Sequence, residues 1–246
     1  MKPTPVIIEF AGLPGAGKTT AAEQIIKVLE LDGYKCFGRE QFVNSNRHFA
    51  VLAKKILINI FFVLAHICML AWCCIFALQV TPVNMTSLKR AVKLIIMRGG
   101  LQRVIKTARQ GGYDLILLDQ GFTQAICSIA LTGSFPPDRH LLRLVKCLYS
   151  NIKAPYLLVY FDVDVTAAAG RVMQRPGLQS RFDRMSLGQA EREMRIYEQY
   201  LKRILLKVTH YTGVNCLVVD SSQDLERTVK LISSYIYQNV VDSPVL

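Results

Sequence analysis

The feature that most constrains this chain is the run Gly12-Leu13-Pro14-Gly15-Ala16-Gly17-Lys18-Thr19, with Thr20 directly behind it. It fits the pattern G-x-x-x-x-G-K-[ST] in the setting that pattern requires. A short β-branched-rich run, Pro5 to Ala11, precedes it, and Lys18 to Leu31 follows with apolar residues at helical spacing. A strand, a glycine loop and a helix in that order make an anion site. The glycines let successive backbone N–H groups turn inward around phosphate oxygens, and the helix start adds the positive end of its dipole. In such a loop Lys18 is expected to reach the β and γ phosphates of a nucleotide, while the Thr19 hydroxyl ligates magnesium.

The rest of the chain alternates between short apolar runs and longer amphipathic ones. Tyr34 to Phe37, Tyr113 to Leu118, Tyr156 to Phe161 and Val214 to Val219 read as further strands. Helices are expected over Asp138 to Ser150, Thr166 to Gln174, Ser186 to Lys207 and Asp224 to Tyr237, and from Gly121 toward Gly133. A basic helical stretch, Ser87 to Arg109, is expected to be interrupted at Gly99-Gly100. With 246 residues and this alternation, the prediction is one α/β domain over residues 1–246: three layers, a parallel sheet of about five strands, and a helical insertion at about 47–109.

Three further sets of residues carry chemistry. Asp119 follows Leu115-Ile116-Leu117-Leu118, so its carboxylate is expected at the C-terminal end of a buried strand, where open α/β sheets place their ligands. There it either holds magnesium through water or takes the proton of an acceptor hydroxyl. Arg171 and Arg175 are four apart on a predicted helix and share a face, and Arg181 and Arg184 follow the break at Pro176-Gly177. Four guanidinium groups around a break suggest a lid that closes over phosphates, stabilises the transferring phosphoryl group and excludes water.

The loop at Gly12, the strand ending on Asp119 and the arginine-rich segment after Tyr160-Phe161-Asp162-Val163 together resemble the thymidylate kinase and deoxynucleoside kinase group of P-loop kinases. The resemblance covers roughly residues 5 to 40 and 112 to 240. It implies ATP as the nucleotide and phosphoryl transfer to a small acceptor. It also implies an acceptor role for Arg39 and Glu40, since Gly33-Tyr34 to Arg39-Glu40 is similar to the segment that places an arginine and a glutamate at the acceptor site of thymidylate kinases. Two departures stand out: Gln41 replaces the expected proline, and Asp119-Gln120 stands where these kinases carry an acid followed by arginine.

The insertion holds an unusually apolar run. Ile56 to Val80 contains only Asn59, His66 and Gln79 as clearly polar residues, and as a helix it would reach about 37 Å at about 1.5 Å per residue. A single bilayer crossing would separate Lys18 from Asp119, which must meet at one magnesium. The only candidate for a second crossing, Leu88 to Ile105, carries Lys89, Arg90, Lys93, Arg98 and Arg103. The expectation is therefore peripheral contact with the inner face of a membrane through 56–80, the alternatives being packing against a second subunit of a homodimer or covering the domain core. Asn59, His66 and Cys73 recur every seven residues and mark one face of that helix rather than a metal site.

Composition fits this picture. A net charge of +12 points to anionic partners, and a mean hydropathy of +0.27 is high for a soluble protein. Seven cysteines without a CxxC pair fit a reduced cytosol, and the first residues lead straight into a strand with no room for a cleavable signal peptide. Without basic–aromatic alternation or a recognisable binding module, nucleic acid is not an expected partner. The expected function is ATP-dependent phosphoryl transfer to a small molecule. The alternative is a membrane-associated ATP-binding switch or adaptor that transfers nothing.

Overall fold

The computed structural model describes residues 4–38, 71, 75, 85–131, 135–149, 152–177 and 180–238. Five strands, β1 (Val6–Gly12), β2 (Cys36–Phe37), β3 (Leu115–Leu118), β4 (Tyr156–Asp162) and β5 (Asn215–Asp220), form one sheet in the order β2-β3-β1-β4-β5. Every pairing is parallel: Ile8 lies against Leu117 on one side and Leu157 on the other, and Val159 lies against Leu217. Parallel neighbours need crossovers. Among the described residues they run through α1 (Lys18–Leu31), α2 (Met85–Gly111), α3 (Phe122–Ala130), α4 (Asp138–Tyr149), α5 (Val165–Gln174) and α6 (Leu187–Thr212), and α7 (Leu225–Ile236) follows β5.

Because Ile7, Ile8, Glu9, Phe10 and Ala11 are all buried, both faces of the sheet are covered at β1. Helix α1 packs against α7, while α6 packs against α3, α4 and α5. The long α6 is held at both ends. A Ser186–Gln189 capping box opens it, and Gly213 closes it in the left-handed conformation.

Two expectations change. Gly99-Gly100 does not interrupt the basic stretch, which is one continuous helix from Met85 to Gly111. Leu94, Leu101, Val104 and Ala108 are buried along one side of it, and that packing outweighs the roughly 1 kcal/mol by which a glycine disfavours a helix interior. Second, Arg175 does not continue the helix of Arg171. Helix α5 stops at Gln174 and Arg175 is extended, since Pro176 disfavours helical backbone in the residue before it.

Most of the insertion expected at 47–109, including the apolar run 56–80 apart from Ala71 and Ile75, lies outside the described residues, as do Arg39 and Glu40. Among the described residues no helix is long and apolar enough to cross a membrane.

Candidate functional site

The loop between β1 and α1 is anchored from within and open outward. Leu13 and Ala16 are buried, while Gly17, Thr19 and Thr20 are exposed at the head of α1. Gly15 has a φ of 83°, and a Cβ there would lie 2.5 Å from the Ala168 carbonyl oxygen, so only glycine lets the loop sit against α5. Helix α1 opens on Gly17 with no side-chain cap. Its first N–H groups are left for a ligand.

Lys18 folds over this loop. Its Nζ donates to the Gly12 carbonyl at 3.0 Å and to the Leu13 carbonyl at 2.7 Å, and the residue is only 8% exposed. Burial pulls its ammonium down to about 8, Asp119 opposes that shift, and Arg175 adds to it. Residues 18, 119 and 175 line one cleft.

Asp119 follows β3 at the C-terminal edge of the sheet, with Leu118 paired to Glu9 of β1. Glu9 is fully buried in the core beneath it. One of its oxygens, Oε1, accepts from the Thr123 backbone N–H at 2.9 Å; the other, Oε2, accepts from Tyr149 Oη at 3.1 Å and Tyr156 Oη at 2.5 Å. Burial pushes the Glu9 carboxyl up, and the bonds from Tyr156, Thr123 and Tyr149 pull against it. Sequence reasoning missed this residue, although a lone acid inside the apolar run Val6-Ile7-Ile8-Glu9-Phe10 was the available signal.

The predicted lid arginines divide by placement. Arg171 points Nη1 toward the Gly15 carbonyl at 3.4 Å and reaches the Ser221 carbonyl at 3.5 Å, bridging the loop to the end of β5. Arg175 is clasped by Asp183, with Nε to Oδ1 at 2.8 Å and Nη2 to Oδ2 at 3.0 Å, and it also donates to Ser180 Oγ at 2.8 Å. The Ser180 backbone N–H bonds the same carboxylate in a capping box. Burial pushes the Asp183 carboxyl up, but the bonds from Arg175 and Ser180 outweigh it and hold it at about 2. Arg181 lies 3.4 Å from Glu193, and Arg184 is exposed at the end of the 3₁₀ turn Arg181–Arg184.

Beside the loop lies a cleft of about 1300 Å³ whose lining is of two chemical kinds. Lys18, Arg171, Arg175 and Arg181 are the cations of its lining, with Thr19 and Asp119 beside them. Met97, Gln124, Ala125, Ser128, Leu131 and Tyr197 also line it, and none of them carries a charge. Gln124 and Ser128 stand four apart on α3. The Cys127 thiol donates to the Tyr197 carbonyl at 3.4 Å and so fixes α3 against α6. Gln124 Oε1 and Tyr197 Oη are buried, and neither has a hydrogen-bond partner at bonding distance. These neutral residues also went unmarked at the sequence level, because a glutamine and a tyrosine 73 residues apart have no shared pattern.

Among the described residues no cluster of three or more His, Cys, Asp or Glu side chains is placed to hold a metal ion. Thr19 and Asp119 supply one hydroxyl and one carboxylate. That is too few donors for a divalent ion by itself, but it fits magnesium that brings phosphate oxygens and water as its other ligands.

No protein-family model matches this sequence, and no curated protein matches it in sequence. In three dimensions the chain is similar to a deoxyadenosine kinase from M. mycoides whose structure holds the product dCMP and a flexible dCDP. The TM-score is 0.52 at 16% identity, over 94% of this chain and 99% of that one. At such identity the likeness is one of fold: a five-stranded parallel sheet with flanking helices, shared with a P-loop nucleoside kinase.

Proposed function

We propose that this cleft transfers the γ-phosphoryl group of Mg-ATP to a hydroxyl of a small, nucleoside-like acceptor. The observation that carries the reading is the convergence of Lys18, Asp119 and Arg175 on one cleft that uncharged side chains also line. In this reading the phosphates meet the charged side chains and the acceptor the uncharged ones.

In this reading the backbone N–H groups from Gly12 to Thr20 and the Lys18 ammonium hold the β and γ phosphates. Thr19 and, through water, Asp119 hold magnesium, which when bound neutralises charge on the phosphate oxygens. Arg171 and Arg181 line the same cleft and in this reading stabilise charge on the moving group. Arg175 keeps the lid folded around Asp183 with its charge still at the cleft. The acceptor oxygen forms its bond to the γ phosphorus, the bond from that phosphorus to the β–γ bridging oxygen breaks, ADP departs, and the hydroxyl proton passes to water. Arg184 acts at the lid surface, and Arg39 and Glu40 are assigned to the acceptor from the sequence resemblance.

The test is magnesium-dependent ADP release from ATP by the purified protein, screened over nucleosides, nucleoside monophosphates and sugars, with Lys18→Ala as control. Acceptor-stimulated release that disappears in Lys18→Ala is the expected result. Gln120 lines the cleft where the related kinases carry arginine, which favours one other reading, a nucleotide-dependent switch or adaptor. Tight ATP binding without release on any acceptor would select it. Peripheral membrane contact through 56–80 is checked separately, by flotation with anionic vesicles.

A further inference from the structure

Glu9 stands at the middle of β1, the strand that runs into the phosphate loop, and its register partner on β3 is Leu118, the residue before Asp119. The corner that follows, Asp119-Gln120-Gly121, leads into α3. Gly121 occupies the N-cap position of that helix and offers no side-chain cap. The Thr123 N–H in the first turn is satisfied by Glu9 Oε1 instead, from a different strand. A helix N-terminus favours a carboxylate, but one supplied by the N-cap residue itself is the ordinary solution. Here that solution is closed, because a Cβ on residue 121 would fall inside the Glu9 carboxyl group.

The donor set is complete for an ionised carboxylate, which only accepts. Thr123 N–H, Tyr149 O–H and Tyr156 O–H all converge on it, and Thr123 Oγ1 lies 2.7 Å from Tyr149 Oη. The rings around it are packed edge to face: Phe122 with Tyr149, and Tyr149 with Tyr156, each at 5.5 Å. The carboxylate is therefore held by α3, α4 and β4 at once and has no room to turn.

We propose that Glu9 is a positioning residue: by tying the phosphate-loop strand to the β3–α3 corner, its carboxylate fixes where Asp119 stands relative to Lys18 and hence relative to a magnesium–nucleotide complex. This rests on the reading of the cleft as a phosphate-handling site, and it extends that reading to a buried side chain that touches neither nucleotide nor metal.

Two variants separate positioning from simple helix capping. Glu9→Gln keeps the shape and removes one acceptor oxygen. Glu9→Ala combined with Gly121→Ser frees the space and gives α3 an ordinary N-cap, restoring the cap while leaving β1 untied from the corner. The measurement is equilibrium binding of a fluorescent ATP analogue in excess magnesium and in EDTA, with thermal unfolding alongside.

The wild-type protein is expected to bind more tightly with magnesium. In both variants that enhancement should shrink about tenfold, the order expected when a ligating group is displaced by part of an ångström, with affinity in EDTA changed less than about twofold. The double variant should recover thermal stability but not the enhancement. Recovery of both together, an unchanged enhancement in Glu9→Gln, or no enhancement in the wild type would each overturn the proposal. If Glu9→Gln does not fold, the double variant carries the same comparison. Enhancement that behaves as expected in a protein that transfers phosphate to no acceptor would remove the phosphotransfer reading and leave the role of Glu9 standing.

Discussion

Glu9 and Gly121 are fitted to one another: the glutamate carboxyl fills the volume that any β-carbon on residue 121 would need. Gly121→Ala should therefore cost about 1–3 kcal/mol, because the Glu9 carboxyl is pinned by three hydrogen bonds and cannot step aside. Thermal unfolding should show a midpoint lowered by roughly 2–4 °C per kcal/mol for a chain of this size. An unchanged midpoint would mean that the corner yields freely.

Lys18 gives the protein a pH signature. Its folded-state value of about 8 lies below the ordinary 10.5, so at pH below about 8 folded and unfolded chains both carry the charge. Between about 8 and 10.5 the unfolded chain binds a proton that the folded chain does not, so this residue makes stability rise with pH across that window. Denaturant unfolding at several pH values should show a steeper rise from pH 8 to 10 in the wild type than in Lys18→Met. Nucleotide affinity should move the other way and weaken above about pH 8, where the ammonium must be recharged on binding. Parallel pH dependences in wild type and Lys18→Met would dismiss both expectations.

Arg175 and Asp183 tie the end of α5 to the turn Arg181–Arg184 through two charge-assisted bonds, and the Asp183 side chain is only 4% exposed. Removing Arg175 leaves that carboxylate with its Ser180 contacts alone, so Arg175→Ala should cost about 1–3 kcal/mol. Arg175→Ala combined with Asp183→Ala should cost less than the sum of the two single changes, which a double-mutant cycle reads directly. With its folded value held at about 2, Asp183 contributes stability that is complete above 3.8 and lost as pH falls from 3.8 toward 2. Acid unfolding of Arg175→Ala should lack that component.

Tyr197 Oη is buried in the cleft with no partner inside hydrogen-bonding distance, and the Ser128 and Gln124 side chains are its polar neighbours, so its removal forfeits little in the ligand-free protein. Tyr197→Phe is expected to match or exceed wild-type stability by up to about 1 kcal/mol. If the hydroxyl receives the acceptor, the same variant should raise the acceptor KM by about tenfold, the worth of one hydrogen bond to a substrate. A destabilised Tyr197→Phe with unchanged KM would assign the hydroxyl to the core instead.

What was legible in the sequence was local. Strand, glycine loop and helix around Lys18 could be placed because their signals lie within a few residues: glycines where positive φ or close approach is needed, β-branched residues before them, helical periodicity after. Asp119 at the end of β3 was legible for the same reason, as were most of the other elements to within a few residues. Gly99-Gly100 shows where local signal fails, since the apolar face of α2 meets a core that overrides the cost of two glycines.

The partners of the functional side chains were not legible at all. Glu9 meets its three donors across 114, 140 and 147 residues, and nothing in the spacing of a sequence encodes which buried hydroxyl will face which strand position. Likewise the four lid arginines looked equivalent until Pro176 ended α5 and let Asp183 fold back onto one of them. The sequence by itself determined that a glycine loop would join β1 to α1 and at which residues, because backbone conformation follows from neighbouring residue types. Only the tertiary structure decided which charge faces the cleft, which is committed to the lid, and which acid holds the corner beneath Asp119, because those choices depend on parallel register and on how helices distant in sequence pack against one sheet.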